Sequence, residues 1–216
     1  MEIHLKNIAP NPLIGAFSIV GEVWEKEHHF KPENYIHILA PSGSGKSTLM
    51  GILYGMRNDF KGELRLQGES VLKLSQEDWS KLRSNQIGIV FQDLQLLDEL
   101  TAIENIQIKN QLTNKYSQDE IVKMAKSLDV YGLLNKKVAL LSRGEKQRIA
   151  ILRALCMPFS WLLLDEPFSA LDEVNTQKAI ALIKAVTAEN NAGLILSNLY
   201  SDSYFDYTKK GIQPNG

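Results

Sequence analysis

The chain has 216 residues, 44% hydrophobic and 23% charged, with a formal net charge of −1. It is long enough to bury a large core, and its near-neutral balance excludes a sequence-wide pull toward nucleic acid or anionic lipid. A single cysteine, Cys156, excludes an intramolecular disulfide and a cysteine-based metal site, and no run approaches the ~20 apolar residues that span a bilayer.

Residues 1–8 alternate as a strand, without the charged-then-apolar layout of a signal peptide. Residues 13–24 hold further β-prone side chains (Phe17, Ile19, Val20, Val23), and the polar turn Lys31-Pro32-Glu33-Asn34 leads into the apolar run Tyr35–Leu39, a buried strand. Then comes Ala40-Pro41-Ser42-Gly43-Ser44-Gly45-Lys46-Ser47-Thr48, which opens a helix. Strand, glycine-rich loop and helix are the context of a phosphate-binding loop. Gly43 and Gly45 let successive N–H groups turn inward on one anion, and the helix adds its positive end. Lys46 is placed to reach the β- and γ-phosphates and Ser47 to ligate Mg²⁺. The pattern's first glycine is Ala40, at a strand end where a residue with a Cβ is expected to fit.

Gly62–Gly68 alternates as a short half-exposed strand, so an antiparallel β layer is expected around the loop. Ser75 and Asp78 cap a helix over 75–85. Gln86–Phe91 reads as a buried strand ending at Gln92-Asp93. Beyond it strand-like runs vanish, and helical spacing over 100–112 and 117–131 predicts an inserted helical subdomain. A helix follows from Arg143 to Met157, stopped by Pro158. Trp161–Leu164 is an apolar strand ending in Asp165-Glu166-Pro167. Glu173 to about Asn190 is a helix, and Gly193–Leu196 a last buried strand. The tail from Ser197 is polar, aromatic and short, with Gln213–Gly216 frayed.

Alternating buried strands and helices give an α/β fold with a largely parallel sheet. It divides into a first part of the core (1–93), the helical subdomain (94–141) and the remainder of the core (142–216). Ligands in such sheets sit beyond the carboxyl ends of the strands, where the phosphate loop, Gln92, Asp165-Glu166 and Ser197-Asn198 all fall. Asp165 suits a Mg²⁺ ligand; Glu166, aimed at the γ-phosphate, suits the base that orients or deprotonates the attacking water. His28 and His29, adjacent and pointing apart, read as solvated loop residues and not as a metal site. Lys46 apart, the cations Lys146, Arg148 and Arg153 read by themselves as a solvated helix face. Cys156 and Trp24 read as core residues.

Leu141-Ser142-Arg143-Gly144-Glu145, followed by Gln147-Arg148, decides a resemblance. Together with the phosphate loop, Gln92, Leu162–Pro167 and Ser169-Ala170-Leu171-Asp172, it resembles the nucleotide-binding subunit of an ATP-binding cassette (ABC) transporter, over nearly the whole chain. Ile87–Gln92 through Leu100–Asn105 is most similar to the branch serving lipoprotein release, macrolide export and cell division. The resemblance implies a P-loop NTPase core with an antiparallel β layer and an inserted helical subdomain. It implies an ATPase using ATP and Mg²⁺, cytoplasmic and peripheral on the inner face of the membrane through an integral membrane permease, with no nucleic-acid partner. It implies a head-to-tail dimer, with itself or a similar subunit, in which each ATP lies between one phosphate loop and the partner's Leu141–Glu145 segment. Gln92 would contact Mg²⁺ and water, Ser142, Gly144 and Glu145 would grip the nucleotide, Asp172 would communicate across the dimer, and residues 94–106 would receive the permease.

Three positions depart from the family pattern. Arg143 stands at the signature's first glycine. Asn198 stands where a histidine contacts the γ-phosphate, and it can carry neither a proton nor a positive charge, so hydrolysis is expected to be slowed and not abolished. Asn11 and Pro12 stand where an aromatic residue stacks on adenine. These departures motivate an alternative, a slow- or non-hydrolysing ATP-gated switch of the same fold.

Overall fold

The computed structural model describes residues 1–11, 24, 26–39 and 41–212. The expectations for residues 12–23, for Ala40 and for Gln213–Gly216 lie outside the described residues.

Four strands, β1 (Ile3–Pro10), β2 (Glu27–Phe30), β4 (Phe60–Leu66) and β5 (Glu69–Ser70), form an antiparallel sheet in the order β2-β1-β4-β5. The period of two dictates which side is buried: Ile3 and Leu5 of β1, and Leu64 and Leu66 of β4, face the core. A bulge interrupts β1 between Lys6 and Ala9, where Asn7 takes φ 52°. Gly62 lies across from it with φ 91°, and a Cβ there would meet the Asn7 carbonyl oxygen at 2.2 Å, so only glycine fits.

The second sheet is parallel throughout: β3 (Tyr35–Leu39), β6 (Ile87–Val90), β7 (Trp161–Asp165), β8 (Gly193–Asn198) and β9 (Lys209–Ile212), in the order β6-β7-β8-β3-β9. Every residue of β6 and β7 is buried, as expected of strands covered on both faces. Alternate residues feed two cores. Trp161, Leu163 and Ile195 pack with Ile3, Leu5, Trp24 and the helix α1 (Lys46–Leu53). Leu162, Leu164 and Leu194 pack with α5 (Arg143–Leu155) and α6 (Glu173–Asn190).

The predicted helix over 75–85 is α2 (Gln76–Asn85), with Ser75 and Asp78 closing a reciprocal capping box. Among the described residues between β6 and α5, two α-helices form, α3 (Ala102–Asn110) and α4 (Gln118–Ser127), with capping boxes Thr101/Glu104 and Ser117/Glu120. Their apolar faces (Ala102, Ile106, Ile121, Ala125) run on into the core beside β6 and β7. α5 ends at Leu155, short of the predicted Met157. Cys156, which follows, is fully buried, and burial pushes its thiol up to about 12, leaving it inert. Among the described residues no helix is long and apolar enough to cross a membrane.

Three strands went unread in the sequence. Residues 27–30 form β2, not a loop. The tail beyond Ser197 is not irregular throughout: β8 runs on to Asn198, and β9 adds an edge strand beside β3. β5 is only a two-residue pairing with β4. β2 and β9 are edge strands held by backbone pairing, so neither needs the apolar run that marks an interior strand.

Candidate functional site

The parallel register aligns the strand ends. Leu39, the last residue before the phosphate loop, pairs with Asn198, and Asp165 pairs with Ser197. Gly43 (φ 79°) and Gly45 (φ 92°) bend the loop through left-handed backbone, and Gly45 is the N-cap of α1. No side chain caps that helix, so its first N–H groups face the cradle formed by residues 41–48.

The loop's polar side chains converge on the carboxylates. The Lys46 amine is buried, donates to the Pro41 carbonyl at 3.1 Å and lies 3.2 Å from Glu166 Oε1. The Ser47 hydroxyl donates to Gln92 Oε1 at 3.2 Å, and Gln92 Nε2 reaches Glu166 Oε2 at 3.4 Å. Ser47, Gln92 and Asp165 line one cavity of about 560 Å³, with Arg143 at the same cavity. Asp165 is buried and accepts a 2.5 Å hydrogen bond from Ser197, a strand-to-strand contact that fixes the carboxylate. Glu166 takes φ 48°, a left-handed conformation unusual outside glycine. Its N–H donates to the Ser197 carbonyl (3.1 Å), and its own carbonyl accepts from Gln147 Nε2 (3.1 Å), so both backbone groups are tied.

Gln147 is the residue that sequence reasoning passed over. Fully buried on α5, it also accepts from the Ala170 N–H at 2.9 Å, tying the helix to the turns on both sides of Pro167. It stood in the motif, but with no role attached. Gly144, on the first turn of the same helix, faces that segment too: a Cβ there would lie 2.9 Å from the Ala170 carbonyl oxygen. Ser142 caps α5 in a reciprocal box with Glu145, its N–H donating to Glu145 Oε2 at 2.8 Å. Within one chain, therefore, Glu145 holds the helix cap. Asp172 caps α6 and accepts from the Asn175 N–H at 2.8 Å, which holds its carboxyl below the usual range. None of these four is among the residues lining the phosphate-loop cavity.

Asn198 sits at the β8 terminus with both amide ends engaged. Nδ2 donates to Asp202 (3.2 Å), and Oδ1 accepts from the Leu199 N–H (2.9 Å). Asp202 gathers further partners: His37 Nε2 at 3.2 Å, the Tyr207 hydroxyl at 2.6 Å and the Tyr204 N–H at 3.1 Å. Burial opposes its ionisation, but the adjacent His37 ring and the hydrogen bonds from Tyr207, Tyr204 and Asn198 outweigh burial and hold the carboxyl at about 2. Asp202 gave no sequence signal, because it sits in a tail without periodicity.

The cations of α5 are not a solvated face. Arg153 is buried and clamps the strand exit after Gln92, donating to the Leu94 carbonyl at 2.6 Å and the Gln95 carbonyl at 2.5 Å. Leu94 and Gln95 both have positive φ. Arg148 donates to the Leu128 carbonyl and to Asn175, and Lys146 pairs with Asp98, so α5 grips the helical segment at three points.

A phosphate cradle opening a helix, a hydroxyl, amide and carboxylate at one cavity, and a constrained glutamate beside the cradle lysine define a phosphate-loop nucleoside triphosphatase. Residues 26–169 match the ABC transporter family model. The lipoprotein-releasing system ATP-binding protein LolD of Francisella tularensis (strain SCHU S4) is 36% identical over 165 residues, covering 74% of this chain and 71% of that protein. The macrolide export ATP-binding/permease protein MacB of Sodalis glossinidius is 34% identical over 170 residues, 77% of this chain but 26% of that larger protein. The dimeric structure of MJ0796, a bacterial ABC transporter cassette, superposes with a TM-score of 0.79 at 28% identity, covering 92% of this chain and 88% of that one. A post-hydrolysis state of MJ0796 bound to ADP and Pi gives a TM-score of 0.77 at 29% identity, covering 91% and 87%. The chain belongs to the ABC transporter family. It is an ATP-binding, ATP-hydrolysing subunit of that family.

Proposed function

We propose that this subunit binds Mg·ATP between two copies, or between itself and a similar subunit, and hydrolyses it to drive a separate membrane permease. The observation that carries the reading is the convergence of Lys46, Ser47, Gln92, Asp165 and Glu166 at one edge of the parallel sheet.

The loop from Ala40 to Thr48 holds the phosphates through backbone N–H groups and the Lys46 amine. A triphosphate competes with Glu166 for that amine, which frees the carboxylate to orient and deprotonate the attacking water. The donor set fits Mg²⁺: Ser47, Gln92 and Asp165 offer only hard oxygens. The 3.2 Å between Ser47 Oγ and Gln92 Oε1 is close to the ~2.9 Å between neighbouring ligands of an octahedral ion at 2.0–2.1 Å. Bound there, Mg²⁺ neutralises charge on the β- and γ-phosphates. Ser197 keeps Asp165 oriented, and Gln147 keeps Glu166 in its unusual conformation.

Ser142, Gly144 and Glu145 serve the partner's nucleotide and Asp172 the dimer contact, as the family resemblance implies. The MJ0796 dimer supports this arrangement. The helical subdomain, residues 94–141, carries the permease-facing surface over 94–106, and the Arg153 clamp on Leu94 and Gln95 ties that surface to Gln92. The subunit meets the permease at the inner face of the membrane; the relatives' names span lipoprotein release, macrolide export and phosphonate import, and so assign no direction of transport.

The test is ATP-dependent association. A Glu166→Gln chain is expected to elute as a dimer with Mg·ATP and as a monomer with Mg·ADP or no nucleotide, read by light scattering. A mass that does not respond to ATP contradicts the proposal.

A further inference from the structure

The outer face of the antiparallel sheet carries a second cluster of potential ligands, remote in the fold from the phosphate loop. β1 and β2 pair antiparallel, with His4 opposite His29 and Lys6 opposite Glu27. Residues two apart on a strand share a face, so His4, Glu27 and His29 project on one side. The contacts follow: His4 Nε2 lies 2.8 Å from Glu27 Oε1, and His29 Nε2 lies 3.6 Å from the same oxygen. The two imidazoles stack with centroids 4.0 Å apart and planes 13° from parallel. One ligand atom from each of the three residues lies within 4.8 Å of the other two.

We propose that His4, Glu27 and His29 form a surface site for a late first-row divalent transition-metal ion, of which Zn²⁺ is the representative. A tetrahedral ion at ~2.0–2.1 Å holds its ligand atoms about 3.3 Å apart, and the two contacts to Glu27 bracket that spacing. Two imidazoles and a carboxylate suit zinc-class ions, whereas Mg²⁺ prefers all-oxygen sets such as that at Ser47. The side chains of Glu27 and His29 are 49% and 67% exposed, while His4 is at 22%. The ion therefore has a path from solvent.

Two cations adjoin the site, and Glu63 offsets them in part. Arg65 stands across from His4 on β4, but its guanidinium is paired with Glu63 at 2.6 Å. Lys6 lies between Glu27 and Glu63 in the cross-strand register. A bound ion would link β1 to β2. His28 alternates to the other side of β2 and is no part of the set.

The experiment uses the full chain without a polyhistidine tag, with Mg·ADP present to occupy the phosphate loop. Cobalt(II) is titrated with visible absorption as the readout, and Zn²⁺ is then added to displace it. The expected result is one Co²⁺ per chain, bound in the micromolar range with the ligand-field bands of four or five coordination. Zn²⁺ displaces it, His4→Ala and His29→Ala each weaken it at least tenfold, and His28→Ala leaves it unchanged. A Zn²⁺-dependent rise in melting temperature, present in the wild type and lost in the two variants, gives the same answer independently of colour. Binding only in the millimolar range, or wild-type affinity in the His4→Ala and His29→Ala chains, overturns the proposal.

Discussion

Asn198, which the family resemblance sets in place of a histidine, has surroundings that the structure sets out. The amide donates to Asp202, which also holds His37 and Tyr207. An imidazole at this position keeps a donor for Asp202 and gains a second nitrogen able to carry a proton. Asn198→His is therefore expected to raise steady-state phosphate release, on the order of tenfold, within the range that a positioned proton carrier provides. An unchanged rate would show that this position does not limit turnover. The sequence singled out Asn198 because it sits at the end of a legible strand. It did not expose Asp202, whose importance depends on a side-chain network spanning β3, β8 and the tail.

At the scale of elements, α5 is the hub. Its first turn carries Ser142 and Gly144, its second Gln147 and its last Arg153, each meeting a different segment. Arg153→Met leaves the Leu94 and Gln95 carbonyls without their donor. The expected cost is about 2–3 kcal/mol in denaturant unfolding, with reduced turnover because Gln92 lies just upstream. A variant as stable as the wild type would show that the clamp contributes nothing. The helix itself was legible from its apolar spacing and from Pro158, but its cations were misread as a solvated face. Periodicity tells which side of a helix is buried, not whether a long side chain folds inward to meet orphan carbonyls. The same limit hid β2: Glu27-His28-His29-Phe30 has too little apolar alternation to mark a strand, and its pairing with β1 was invisible until the register placed His29 beside His4.

For the whole molecule, the sheet order was inferable only in part. The strands β3, β6, β7 and β8 announced themselves as apolar runs, whereas the edge strand β9 did not. The Asp202 cluster joins β3 to the segment leading into β9, and it makes stability acid-sensitive. The Asp202 carboxyl lies at about 2 in the folded chain against an ordinary 3.8, so its contribution is present above about pH 4 and lost as the pH falls toward 2. Asp202→Asn is expected to remove that part of the acid dependence, on the order of 2 kcal/mol, read from urea unfolding between pH 5 and 2 (~1 unit steps). A wild-type pH profile in the variant would place the acid sensitivity elsewhere.

Glu166 is expected to act at the chemistry while Lys46, Ser47 and Asp165 bind. The most direct test is steady-state ATP hydrolysis by the purified chain beside Glu166→Gln, with nucleotide affinity measured in both. The expected result is measurable turnover in the wild type, a fall of 10²-fold or more in the variant, and ATP affinity retained. Equal hydrolysis by the two chains, or loss of ATP binding together with activity, would contradict it.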